Sequence, residues 1–139
     1  MADLLLADTS IWVITSRRRA ASSLQRRVQL LEAQNLLATC DVVMLEILRG
    51  SPDDDGFVRM SSRFHGLHHL PTGAEQWRES VRLGYDLKRH GANVGAIDIL
   101  IAAVAITHDA IVLHADSDYE RIAQHSALRT EPVFDLLTA

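Results

Sequence analysis

The sequence predicts an α/β fold: a mainly parallel sheet sandwiched between helices in three layers. Short unbroken apolar runs, LLLAD (residues 4–8) and AIVLHA (residues 110–115), read as strands buried on both faces. They alternate with longer helical segments, an order that implies parallel pairing through crossover helices. The length of 139 residues and 47 % hydrophobic content suit one domain, residues 1–139, with an ordinary core. In such sheets the working residues gather at the carboxyl ends of the strands.

Residues 4–8 form the first strand. Ser16 is expected to cap a helix over residues 20–35, with Leu24, Val28 and Leu31 on one face. Residues 36–40 form a second strand, and Asp41 caps a helix through VVMLEILR that Gly50 closes. Ser51-Pro52-Asp53-Asp54-Asp55 combines a cap hydroxyl, a first-turn proline and acids against the positive end of the dipole, starting a helix to about Phe64. Residues 68–71 read as an edge strand, and Thr72 opens a helix to about Arg89. Gly91 and Asn93 break the chain before VGAIDILIAAVAIT (residues 94–107), a helix apolar almost all round that belongs inside. After the strand at 110–115, Ser117 caps a short helix to about Gln124, and residues 129–133 add a final strand.

The formal net charge of −4, from 18 acidic and 14 basic residues, argues against a protein that coats nucleic acid by bulk attraction. It does not exclude a nuclease, whose acidic metal site lowers net charge while basic residues elsewhere hold phosphates. The single cysteine, Cys40, forms no internal disulfide. No signal-peptide pattern opens the chain, and Asp98 interrupts the longest apolar stretch short of the ~20 residues a bilayer needs. A soluble, cytoplasmic protein is expected.

Four acids stand in apolar surroundings near a predicted sheet edge. Asp8 and Asp116 terminate strands, Asp98 lies near the start of the apolar helix, and Glu46 sits inside VVMLEIL. Each alone also fits a cap or a turn. Together they make sense if they meet, since clustered carboxylates repel and stay partly protonated unless a cation neutralises them. Oxygen-only ligands favour Mg2+ or Mn2+ over zinc. Such a site supports metal-assisted phosphodiester hydrolysis. Asp118 is placed to hold a second ion or a water, and Thr9 and Ser10 to donate to Asp8 or a phosphate.

DTSIWV (residues 8–13), EILRG (46–50), KRHGANVGAIDILIAAVA (88–105) and HADSDY (114–119) resemble, in order and spacing, the four blocks of PIN-domain proteins, and more narrowly the VapC toxins. The resemblance covers nearly the whole chain. It implies a three-layer α/β/α sandwich and a Mg2+- or Mn2+-dependent endoribonuclease that cuts structured RNA, tRNA or rRNA, as the toxin of a type II toxin–antitoxin pair. It puts Asp8, Glu46, Asp98 and Asp116 at the catalytic, metal-binding positions, with Asp118 as the less constant additional acid. The implied partners are a VapB-type antitoxin and a second copy in a homodimer. His114 departs from the threonine or serine usual in the family, where a hydroxyl supports the acids; a histidine there supports a carboxylate or phosphate, or simply packs. Tyr119, where phenylalanine is commoner, is expected to change little.

Arg17, Arg18 and Arg19, with Arg26 and Arg27, follow the strand carrying Asp8, and Arg49 follows Glu46. A solvated helix face is the default reading of such a run; the alternative is RNA contact at the catalytic edge, since phosphate backbones need cations. His65, His68 and His69 read as surface or packing residues. Leu24, Val28 and Leu31, with Phe57 and Met60, read as core or as a groove for an amphipathic antitoxin helix. Two alternatives stand beside the ribonuclease. One is a non-catalytic PIN-like domain that binds RNA or protein. The other is a phosphatase using Asp8 as nucleophile, which Ser10 at the place of a second acid and a lone Lys88 fit poorly.

Overall fold

The computed structural model describes residues 2–17 and 19–138 and contains a five-stranded parallel sheet in the order β3-β2-β1-β4-β5. Its strands are β1 (Leu5–Ala7), β2 (Leu37–Cys40), β3 (His68–Leu70), β4 (Ile111–His114) and β5 (Arg129–Pro132). Every residue of β1 and β2 is buried. Neighbouring side chains on a strand point to opposite faces, so both faces of the sheet centre are covered. The covering helices are α1 (Thr9–Thr15), α2 (Ser22–Ala33), α3 (Asp41–Leu48), α4 (Asp54–His65), α5 (Ala74–Arg89), α6 (Ala96–Thr107) and α7 (Asp118–Ala123). Among the described residues no helix is long and apolar enough to cross a membrane.

The strand order positions everything that follows. Strands β1 to β3 are added in one direction and β4 and β5 in the other, so the order reverses between β1 and β4. At such a reversal the chain leaves the two strands toward opposite sides, and a crevice opens beyond their carboxyl ends. Ala7 pairs with Leu113 across this junction, and the Asp8 N–H donates to the Leu113 carbonyl at 3.0 Å. Asp8 and Asp116 therefore leave the sheet at the same edge, as the sequence predicts.

Helix α6 is the central buried element: Leu100 through Ala105 are all buried. Its first turn emerges at the crevice, where Ile97 is exposed and Asp98 half-buried. Three helices end in the same way. The N–H of Leu36, Ala92 and Ala110 reaches back to Leu31, Leu87 and Ala105, with Asn35, Gly91 and Asp109 at positive φ between. These are Schellman closures, and asparagine and aspartate are the residues besides glycine that enter this left-handed region readily. Two of the three turn the chain directly into a strand, β2 or β4.

The boundaries differ from expectation at several helix starts. The run TSIWVIT forms α1, which the apolar pattern alone does not announce. Ser16 consequently closes α1 rather than capping α2, whose N-cap is Ala21 without a side-chain bond. Asp41 is the first residue of α3, not its cap. At α4 the cap is Asp53, which accepts the Gly56 N–H at 2.7 Å, in place of Ser51. At α5 it is Gly73, whose N–H donates to Gln76 Oε1, in place of Thr72. Leu24, Val28 and Leu31 are core residues rather than groove lining, each at most 1 % exposed.

Leu6 is fully buried on the central strand. Leu6→Ala should lower the unfolding free energy by about 3 kcal/mol in a urea titration, from lost transfer energy and the cavity left behind. A loss below about 1 kcal/mol would contradict this packing.

Candidate active site

The crevice gathers acids from four segments. Asp8, only 3 % exposed, is the N-cap of α1; its Oδ1 accepts from Ser10 Oγ at 2.6 Å and from the Ile11 N–H at 3.4 Å. Glu46, half-buried on α3, accepts from Thr9 Oγ1 at 2.5 Å. Two consecutive hydroxyls thus hold one acid each. Ser10 Oγ also accepts the Ala115 N–H at 3.0 Å, tying the start of α1 to the exit of β4. Asp98 lies in the first turn of α6, where the helix dipole favours negative charge, and accepts from the Tyr119 phenol at 3.3 Å. Asp116 Oδ1 accepts the Asp118 N–H at 3.0 Å, and Asp118 Oδ1 lies 3.3 Å from Arg121.

Asp98, Asp116 and Asp118 each bring a carboxylate oxygen within 4.8 Å of the others. Asp8 and Glu46 stand outside that group of three, with one oxygen turned to Ser10 and to Thr9 respectively. Both nevertheless couple to Asp98. Burial pushes the Asp98 carboxyl up to about 6, reinforced by Asp116, Asp118 and Glu46 and opposed by the Tyr119 hydrogen bond. Burial likewise pushes Asp8 up to about 6, against the donors Ser10 and Ile11 and with help from Asp98. Asp98 is thus the acid to which the other four couple.

The residues around them were partly invisible in the sequence. His114 is fully buried. Its Nδ1 accepts the Asp116 N–H at 3.1 Å, so the proton sits on Nε2 and is donated to Glu120 Oε2, 2.7 Å away. The histidine thus holds the backbone carrying Asp116 rather than touching the acid itself. Tyr119 matters more than expected. It is fully buried, its hydroxyl reaches Asp98, and burial, followed by Asp8 and Asp98, holds the phenol well above its usual pKa of 10. Arg121 bonds both Asp118 and the Asn93 carbonyl, and its i+3 spacing from an acid is its one mark in the sequence.

The cationic candidates are dispersed. Arg17 and Arg19 are exposed, while Arg18 lies outside the described residues. Seven residues of α1 separate them from Asp8, about 10 Å of helix. Arg49, exposed after α3, borders an apolar recess with Met44, Leu45, Leu48 and Phe57. Arg27 is engaged elsewhere, in a bidentate pair with Glu131 at 2.9 and 2.7 Å that ties α2 to β5. His68 meets the Asn35 carbonyl and His69 meets Asp41.

These shifts have a stability consequence for the metal-free chain. Unfolded aspartate titrates near 3.8, whereas folded Asp8 and Asp98 titrate near 6. As pH rises through this window the unfolded chain loses its protons first, so stability falls and stays low above pH 6; for buried Asp8 the shift corresponds to about 3 kcal/mol. In EDTA, Asp98→Asn should raise the thermal midpoint at pH 7.5 and lose that advantage at pH 4. A variant less stable than the parent at pH 7.5 would contradict the burial cost and repulsion described.

Comparison with known proteins places this arrangement. The PIN domain family model matches residues 5–124. A VapC ribonuclease of Mycobacterium bovis is 33 % identical over 129 residues, covering 91 % of this chain and 96 % of its own. Among solved structures, VapBC2 from Rickettsia felis bound to a promoter DNA fragment aligns with a TM-score of 0.79 at 21 % identity, covering 93 % of this chain and 98 % of that one. VapBC-5 from Mycobacterium tuberculosis, of a toxin–antitoxin family, aligns at 0.65 and 20 % identity, over 95 % and 100 %. The structural likenesses speak for the fold. With the family model and the 33 % identity over nearly the whole chain, they lead to one conclusion: this chain belongs to the PIN-domain family and, within it, to the VapC ribonucleases.

Proposed function

We propose that this chain is a Mg2+- or Mn2+-dependent endoribonuclease that cuts structured RNA, tRNA or rRNA, as the toxin of a type II toxin–antitoxin pair. The observation that carries the reading is the meeting of Asp98, Asp116 and Asp118 within 4.8 Å, coupled to Asp8 and Glu46. The donor set fits a hard divalent ion: it consists of carboxylate oxygens, without thiol or imidazole in the group of three. Protons held by Asp8 and Asp98 near pH 6 mark the charge that such an ion would neutralise.

Asp98, Asp116 and Asp118 would hold the ion, with Asp8 and Glu46 completing the catalytic set. When bound, the ion would neutralise charge on the scissile phosphate and ease deprotonation of the attacking water. The chain's own groups hold the arrangement: Ser10 and Ile11 orient Asp8, Thr9 orients Glu46, and His114 orients the turn bearing Asp116. Asp8 as a phosphatase nucleophile is disfavoured, since it is 3 % exposed with one oxygen engaged by two donors. Arg17, Arg18, Arg19 and Arg49 are read as RNA-backbone contacts.

Further parts of the reading rest on the surface and the relatives. The VapBC pairs among the solved neighbours support a VapB-type antitoxin as partner. Exposed Trp77, Val81 and Tyr85 along α5, with Ile97 beside them on α6, support a homodimer. A shared core drawn from β1, β2, β3 and β4, with Leu128 and Val133 flanking β5, supports residues 1–139 as one domain. An RNA substrate and the buried free thiol of Cys40 agree with a cytoplasmic location.

Cleavage of tRNA or rRNA should be lost in EDTA and return with Mg2+ or Mn2+. Asp8→Asn and Asp98→Asn should each lower it by about 100-fold or more with the fold retained. Near-parental cleavage by purified Asp98→Asn protein would reject the proposal. Replacing Arg17 and Arg19 with alanine should weaken RNA binding across sequences and flatten its log–log salt slope by roughly one to two. An unchanged slope would remove these arginines from the interface.

A further inference from the structure

We infer that Tyr119 is a positioning residue of the acid cluster: its phenol anchors one oxygen of Asp98 and thereby presents the carboxylate to a divalent ion. The inference rests on the metal-dependent reading above. Each of the five acids has one oxygen engaged from within the chain. Ser10 and the Ile11 N–H serve Asp8, Thr9 serves Glu46, the Asp118 N–H serves Asp116, and Arg121 serves Asp118. For Asp98 that part falls to Tyr119, the donor bonded to its carboxylate among the described residues.

The phenol is well placed for this. Asp98 belongs to α6 and Tyr119 to α7, so their 3.3 Å bond joins the helix carrying one acid to the helix at whose start Asp116 and Asp118 lie. The ring has no freedom to swing away. It is fully buried and packs on His114, with centroids 5.1 Å apart and planes tilted by 42°. His114 is in turn held at both nitrogens, by the Asp116 N–H and by Glu120. A half-buried carboxylate in the first turn of a helix otherwise rotates about its terminal torsion with little resistance. The phenol removes that freedom and leaves the second oxygen for a ligand.

Tyr119→Phe removes the hydroxyl and keeps the ring, so the packing on His114 survives. Mn2+ binding to the metal-stripped full chain, followed by electron paramagnetic resonance, should be about fivefold weaker in Tyr119→Phe than in the parent. With Mg2+ supplied, kcat for RNA cleavage should fall while KM for RNA holds. Tyr85→Phe, which alters an exposed tyrosine on α5, should bind Mn2+ as the parent does. A merely structural Tyr119 would lower the thermal midpoint and leave Mn2+ affinity alone, and equal Mn2+ affinity in Tyr119→Phe and parent overturns the inference by itself. A parent chain that binds no Mn2+ overturns the metal-dependent reading, and the inference with it.

Discussion

Five carboxylates share the crevice between β1 and β4, and the cost of burying and crowding them is the constraint to which the surrounding structure answers. Each acid taken alone is accommodated by its own element. Asp8 caps a helix, Asp98 sits at a favourable helix end, and Asp116 bonds the next turn. The cost appears only when the sheet order reverses and brings their segments to one edge. There burial and neighbouring charge raise Asp8 and Asp98 to about 6. A fold arranged for stability alone would pair or disperse such charges.

The scaffold holds this unfavourable arrangement by making everything beneath it rigid. Helix α6 is buried from Leu100 to Ala105, so its exposed first turn cannot drift. Hydrogen bonds link neighbours around the rim: Ser10 spans Asp8 and Ala115, Thr9 reaches Glu46, and His114 connects Asp116 to Glu120. Each bond contributes modestly to stability. Their larger effect is to keep carboxylates in place that would otherwise turn away from one another, so that under the proposed function a cation would meet a prepared set of oxygens.

The sequence disclosed much of this because the governing signals were local. The runs at 4–8 and 110–115 end in aspartate, and a parallel sheet carries such ends to one edge, so Asp8 and Asp116 were legible from pattern alone. Asp98 was legible as the one charge in an apolar helix. Helix α1 was not, because seven residues rich in β-branched side chains carry no helical periodicity; tertiary packing decides that segment. The α4 start misled because Ser51 and Asp53 are both good caps, and only the backbone shows that Asp53 accepts the Gly56 N–H. Leu24, Val28 and Leu31 pointed to core or groove with equal force, since an apolar helix face does not say what covers it. Tyr119 and Arg121 depend on contacts between α7 and distant segments, which no spacing encodes.

The most direct test of the central claim is anomalous diffraction from crystals of this chain grown with Mn2+. The expected result is a peak bonded to oxygens of Asp98, Asp116 and Asp118 at about 2.2 Å, with Asp8 and Glu46 turned toward it. A peak held by other residues, or none in the crevice at saturating Mn2+, would contradict the account.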